Sequence, residues 1–227
     1  AQYYRIYAVA AVDDNGDNIF LNHALYSDDF GENWKFLGGS RDAAMCCNAG
    51  NETTIEELPN GDLVVSVRKR GGRYFNVFSS GTEENDKANG IGEWEIKAND
   101  TKVTSGFGSA DCNGELLRVG NVLLHSHPKR GFQGKDRSNV AIFYKVLDPE
   151  KDYTAAEIAT GWQELTQVSY IGSAYSTMTW QKDNRLAFLY EEETHGKSNF
   201  AYGGYTIVYE CFEIEELTDG KYTYRQE

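Results

Sequence analysis

Eight residues, Ser27-Asp28-Asp29-Phe30-Gly31-Glu32-Asn33-Trp34, constrain this chain more than any other stretch. They follow the spacing S-x-D-x-G-x-x-W. Asp29 can accept hydrogen bonds from turn amides, Gly31 supplies permissive backbone angles, and Trp34 can fold back over the strands that the turn joins. The segment therefore reads as a β-hairpin turn with an aromatic anchor. Its role is structural, so it speaks to fold and not to chemistry.

The rest of the chain has the same texture. Short runs rich in Val, Ile, Leu, Phe and Tyr alternate with Gly/Asn/Asp turns. Leu63 to Val67 follows the turn Pro59-Asn60-Gly61-Asp62, and Asn121 to His125 follows Arg118-Val119-Gly120. Val140 to Tyr144, Arg185 to Tyr190 and Tyr205 to Phe212 are further strands. Only Tyr153 to Ala159 reads as helical, with Thr154 as its cap. No linker or low-complexity stretch divides the 227 residues. Many short strands with regular turns mean an all-β sandwich, barrel or propeller.

Charge narrows the partners. With 22 Lys+Arg against 35 Asp+Glu the formal net charge is −13. There is no basic surplus to release counterions from nucleic acid, and an anionic membrane surface is disfavoured for the same reason. An anionic small molecule would need a local arginine cluster acting against the global field. No apolar run is long enough for a membrane span. Ala1 to Arg5 lacks the basic-then-apolar pattern of a signal peptide, which a trimmed secreted chain would also lack. Of four cysteines, Cys46 and Cys47 are adjacent, a strained spacing for a disulfide, and there is no C-x-x-C pair. No cofactor is expected. His125 and His127 lie on one strand face and read as a polar strand end or a metal pair without a third ligand; no metal is expected there.

Segments in a fixed order carry a resemblance. After the eight-residue turn come Asn51-Glu52, then Leu58-Pro59-Asn60-Gly61-Asp62-Leu63, then Arg68. Gly108 to Leu117 follows, then His125-Ser126-His127-Pro128, then Arg137-Ser138-Asn139. Ala174-Tyr175-Ser176-Thr177 precedes a strand ending in Glu191. This order resembles the bacterial sialidase (neuraminidase) family, whose Asp-box turns sit in a six-bladed β-propeller. The resemblance runs from about residue 18 onward. It implies an exo-α-sialidase that acts with retention on terminal sialic acid of glycoconjugates, outside the cell or in the periplasm. It implies Tyr175 as nucleophile, Glu52 as its base, Arg68 and Arg137 as carboxylate-clamp arginines, and Glu191 as the support of a further clamp arginine. Arg130 competes with Arg137, which is preferred because a strand starts right after it.

The chemistry suits these residue types. Sialic acid carries a carboxylate on its anomeric carbon, and arginine forks bind carboxylates while staying charged. A carboxylate nucleophile would be repelled there, so a tyrosine serves, one of the exceptions to the two-carboxylate scheme. A free phenol has a pKa of about 10, so it needs a base beside it.

The chain also departs from the family. Tyr4-Arg5-Ile6-Tyr7 resembles the opening that carries the first clamp arginine, but the Asp-box turn follows it too soon. Arg5 to Ala10 therefore reads as an ordinary mid-propeller strand, and no acid/base aspartate is found. Residues 1–227 are expected to form a partial propeller of about four to five blades without the N-terminal blades, which a separate chain could supply. Two alternatives remain: a non-catalytic Asp-box propeller that binds glycan or protein, and a hydrolase of neutral polysaccharide.

Overall fold

A computed structural model describes residues 4–100, 111–193, 204–218 and 220. It divides into two compact units. The first comprises residues 1–107 and 147–161, and the second residues 108–146 and 162–227.

In the first unit, β1 (Ile6–Val12) pairs antiparallel with β2 (Leu21–Ser27). The other side of β2 is shared by β3 (Lys35–Phe36) and β4 (Met45–Asn48). A second sheet runs β5 (Thr53–Glu57), β6 (Leu63–Lys69), β7 (Gly72–Ser80), β8 (Gly92–Trp94), each antiparallel to the next. The turn into β6 is held by Gly61 N–H donating to the Leu58 carbonyl at 2.9 Å, with Gly61 at φ 89°. Period-2 alternation sends Ala24 and Tyr26 to one face of β2, where they pack with Leu63 and Phe78 of the second sheet. Cys46, Cys47, Val65, Val67 and Tyr74 form an adjoining buried cluster. All four cysteines are free thiols.

The second unit holds a sheet ordered β12-β11-β10-β9, built from β9 (Glu115–Val119), β10 (Val122–Pro128), β11 (Val140–Val146) and β12 (Gln163–Gln167). A three-stranded sheet follows: β13 (Ser173–Trp180), β14 (Arg185–Glu193) and β15 (Tyr205–Glu213). Leu124, Val140 and Ile142 of one sheet meet Met178, Leu186 and Phe188 of the other in a buried core.

The expected strands all form, most of them longer by one to three residues. Helix is more frequent than expected. The anticipated α3 (Ala155–Ala159) has a full capping box between Thr154 and Glu157 and belongs to the first unit. Single-turn helices α1 (Arg41–Ala44), α2 (Glu84–Ala88) and α4 (Ile214–Leu217) also occur. They are too short to show an apolar period; α1 has a side-chain cap, Ser40 accepting from the Ala43 amide, and α2 and α4 have none at their N-termini.

The eight-residue turn joins β2 to β3. Asp29 Oδ1 accepts from the Asn33 amide at 2.8 Å and from the Ser27 hydroxyl at 2.8 Å, and Ser27 Oγ accepts from the Gly31 amide at 2.9 Å. These donors hold the Asp29 carboxyl down at about 2, the Asn33 amide acting most strongly. Gly31 sits at φ 91°, and Trp34 lies over it while remaining 43% exposed. Trp94, within β8, and Trp162, just before β12, likewise mark the outermost strands of their sheets.

Candidate functional site

In the first unit the β5–β6 ladder continues one pair beyond the start of β5. Arg68 N–H donates to the Glu52 carbonyl at 2.9 Å and Asn51 N–H to the Arg68 carbonyl at 2.8 Å. Backbone pairing therefore sets the two residues opposite each other. Arg68 Nη1 donates to both Glu52 carboxylate oxygens, each at 2.9 Å. The side chains are 16% and 31% exposed. Gly50 lets the Glu52 loop lie close: a Cβ there would run into Asn22 and Val67. Asn22 Nδ2 then donates to the Asn51 carbonyl at 2.8 Å and to Thr53 Oγ1 at 3.0 Å, so the loop is anchored from both sides.

Arg5, by contrast, is a structural residue. Its guanidinium donates to both carboxylate oxygens of Asp28 and to the carbonyls of Lys87 and Ala88, at 2.6–3.0 Å. It also stacks over the Tyr26 ring at 4.2 Å. A guanidinium so occupied is a clasp between β1 and the end of α2, consistent with an ordinary strand at this position.

The second unit brings Arg137, Tyr175 and Glu191 together. Ser173 N–H donates to the Arg137 carbonyl at 3.1 Å, Ser173 Oγ accepts from the Val140 amide at 2.9 Å, and Ser138 bridges to Gly172. These bonds stitch the segment before β11 to the start of β13. The Arg137 guanidinium carbon consequently lies 5.5 Å from the centre of the Tyr175 ring, within cation–π range. A register shift between Ser173 and Ser176 re-aims this stretch of β13. Tyr175 N–H donates to Glu191 Oε2 at 3.2 Å, so β14 supplies a carboxylate directly beside the tyrosine. Arg130, the competing arginine, instead faces Asp136 at 3.6 Å and is 41% exposed.

Three participants were not singled out from sequence. Tyr205 packs with Tyr175 against buried Cys112 and Ala174. Burial raises its phenol above the usual range, and the Arg137 charge opposes that rise. Glu115 and Thr177 line a cavity of about 320 Å³ that also borders Tyr175 and Glu191. Thr177 Oγ1 donates to Glu115 Oε2 at 3.2 Å across the gap between β13 and β9. Glu115 and Thr177 fall within two of the segments that carry the resemblance, but their contact with each other forms only when two sheets pack. Of the segment Gly108 to Leu117, residues 108–110 lie outside the described residues.

The histidine pair corrects an expectation. His125 and His127 are not a polar strand end: both are fully buried in β10. His127 stacks on Phe143 with ring centres 4.6 Å apart, and His125 meets Trp162 edge-on at 5.7 Å. Their Nδ1 atoms lie 3.3 Å apart, which suits one imidazole donating to the other. Packing on aromatic rings outweighs the solvent that a strand end would offer. Among the described residues no group of three or more His, Cys, Asp or Glu side chains could hold a metal ion. No helix among them is long and apolar enough to cross a membrane.

No known family profile matches the chain, and no curated protein matches its sequence. Solved structures do match. A sialidase from Trypanosoma rangeli aligns over 95% of this chain and 31% of its own at 20% identity, with a TM-score of 0.61. The intramolecular trans-sialidase from Ruminococcus gnavus aligns over 88% of this chain and 41% of its own at 19% identity, with a TM-score of 0.54. A Dyadobacter fermentans protein of unknown function aligns over 91% and 50% at 20% identity, with a TM-score of 0.57. This chain thus spans half or less of the length of each. The likeness shows the fold: the four sheets are blades of a sialidase-type β-propeller, at the lower end of the expected four to five.

Proposed function

We propose that this chain is part of an exo-α-sialidase that removes terminal sialic acid with retention of configuration. The observation that carries this reading is the grouping of Arg137 and Glu191 around Tyr175: the guanidinium lies against the Tyr175 ring, and the Glu191 carboxylate accepts from the Tyr175 amide. Arg137 can hold the ligand carboxylate beside Tyr175. Tyr175 attacks the anomeric carbon, and a covalent tyrosyl glycoside forms as the aglycone leaves. Water then cleaves that bond. By the family resemblance, Glu52 is the base for the phenolic proton. Arg68, with Glu52 on its fork, is a second carboxylate ligand, and Glu191 supports a clamp arginine that lies elsewhere in the propeller. The S-x-D-x-G-x-x-W turn serves as an Asp box, a fold element away from the chemistry.

The chain is one portion of such a propeller, with N-terminal blades supplied by further polypeptide. The protein acts outside the cytoplasm, where sialylated glycans are displayed. The Trypanosoma neighbour has been captured with 2,3-difluorosialic acid as a covalent intermediate, which supplies the test. The parent polypeptide, treated with that compound and analysed by peptide mass mapping, is expected to carry one glycosyl adduct on Tyr175. Tyr175→Phe should carry none yet still bind. Residues 1–227 alone should not hydrolyse a fluorogenic sialoside. Turnover by them would overturn the partial-propeller reading and return Arg5 to consideration. Sialoside binding by the parent without any adduct would instead identify a non-catalytic glycan-binding propeller.

A further inference from the structure

The loop that carries Arg137 holds an unusual backbone. Within residues 130–139, three residues other than glycine adopt left-handed φ: Arg130 at 75°, Gln133 at 50° and Asn139 at 59°. Side chains disfavour that region, and such strain persists only where the surroundings over-determine it, most often at functional sites. Here the surroundings are hydrogen bonds. Arg130 N–H donates to the Ser138 carbonyl at 3.2 Å, and Lys129 N–H to the Asn139 carbonyl at 3.1 Å, so the loop closes on itself beside Arg137. Ser138 Oγ accepts from the Phe132 amide at 3.1 Å and donates to the Lys135 carbonyl at 3.0 Å, tying the middle of the loop to its end.

Asn139 completes the closure. Its Nδ2 donates to the Arg130 carbonyl at 2.9 Å, and its N–H leaves the loop to donate to the Ile171 carbonyl at 3.0 Å. Ile171 stands four residues before Tyr175. The φ angle of residue 139 sets the direction of the peptide that carries Arg137 relative to β11, which begins at the next residue. Asparagine suits the position because it tolerates left-handed φ when its short side chain bonds locally.

We propose that Asn139 is a positioning residue for Arg137. Its left-handed backbone and its bond to Arg130 hold the Arg137 backbone so that the guanidinium, resting on the Tyr175 ring, presents its fork to a carboxylate. The inference rests on the reading that Arg137 binds the carboxylate of a sialoside. Productive geometry at such a site is held within about 0.5 Å, which a long side chain keeps only on a fixed backbone.

The test is calorimetry on the polypeptide that contains residues 1–227, with two probes: 2,3-didehydro-2-deoxy-sialic acid and its methyl ester. The ester keeps the ring and hydroxyls and removes the charge. Asn139→Ala loses the side-chain bond and disfavours left-handed φ. It should weaken the acid about tenfold or more and leave the ester unchanged. Asn139→Gly accepts the backbone and loses only the side-chain bond, so its loss should be smaller and again confined to the acid. If Asn139→Ala does not fold, Asn139→Gly decides. In an Arg137→Ala background, Asn139→Gly should change nothing further, because the two residues act through one contact. Equal loss on both probes would mark Asn139 as a general scaffold residue and overturn the proposal. Unchanged affinities in the Asn139 variants, with the acid weakened by Arg137→Ala, would overturn the proposal alone. If the wild type binds neither probe, or Arg137→Ala leaves the acid unaffected, the reading of the clamp fails and the inference fails with it.

Discussion

Ser126 and Ser176 offer a direct test of how the nucleophile strand is held. Their hydroxyls lie 2.9 Å apart, joining β10 to β13, and are buried. Ser176 immediately follows Tyr175. Ser176→Ala removes one neutral hydrogen bond, about 1 kcal/mol net, and leaves the Ser126 hydroxyl buried without that partner. An unsatisfied buried hydroxyl costs about 1–3 kcal/mol, so the single variant should lose stability of that order. Ser126→Ala should behave alike. The double variant removes both polar groups, so its loss should fall below the sum of the two by about 1 kcal/mol or more. Urea denaturation followed by circular dichroism reads this out. At a slope of about 2 kcal/mol/M, the single variants shift the midpoint by roughly 0.5–1.5 M at constant slope. Strict additivity across the cycle would refute the claim that these two hydroxyls satisfy each other.

Acid should loosen the β2–β3 turn. Asp29 is held at about 2, below the ordinary carboxylate value near 4, by the Asn33 and Ser27 donors. Its contribution is therefore complete above about pH 4 and lost as pH falls toward 2. Amide exchange at Asn33 should accelerate across that window, and Asp29→Asn should abolish the pH dependence; a flat profile in the wild type would contradict the geometry. Gly50→Ala should destabilise the first unit by about 1–3 kcal/mol, because the added methyl collides with Asn22 and Val67. The Asn51 amide should then exchange faster, since the same loop donates it to the Arg68 carbonyl; an unchanged midpoint would show that the loop has room to move.

Much of the fold could be read along the chain, because its signals are local. Strand alternation predicts β6, β10, β11, β14 and β15; a cap residue predicts α3; one eight-residue pattern predicts a hairpin turn. Each depends on residues within about ten positions of one another. The pairing of Glu52 with Arg68 is nearly as local, since a hairpin of known period sets them opposite. Other features had no local signal. The single-turn helices carry too few residues to show a period. The burial of His125 and His127 depends on Phe143 and Trp162 arriving from β11 and the start of β12.

For the site, sequence supplied the residue types and the tertiary structure chose among them. Fifteen tyrosines look alike along the chain, and Tyr175 stands out by motif order alone. Arg5 and Arg137 are both arginines before strands. One is consumed by Asp28 and two carbonyls, whereas the other is set beside Tyr175 by backbone bonds between segments some 36 residues apart. Glu115 entered the site only because β9 packs against β13. Local pattern dictates which backbone conformations are cheap. It cannot dictate which side chains share a cavity, because that contact forms only when separate sheets bury their apolar faces against each other.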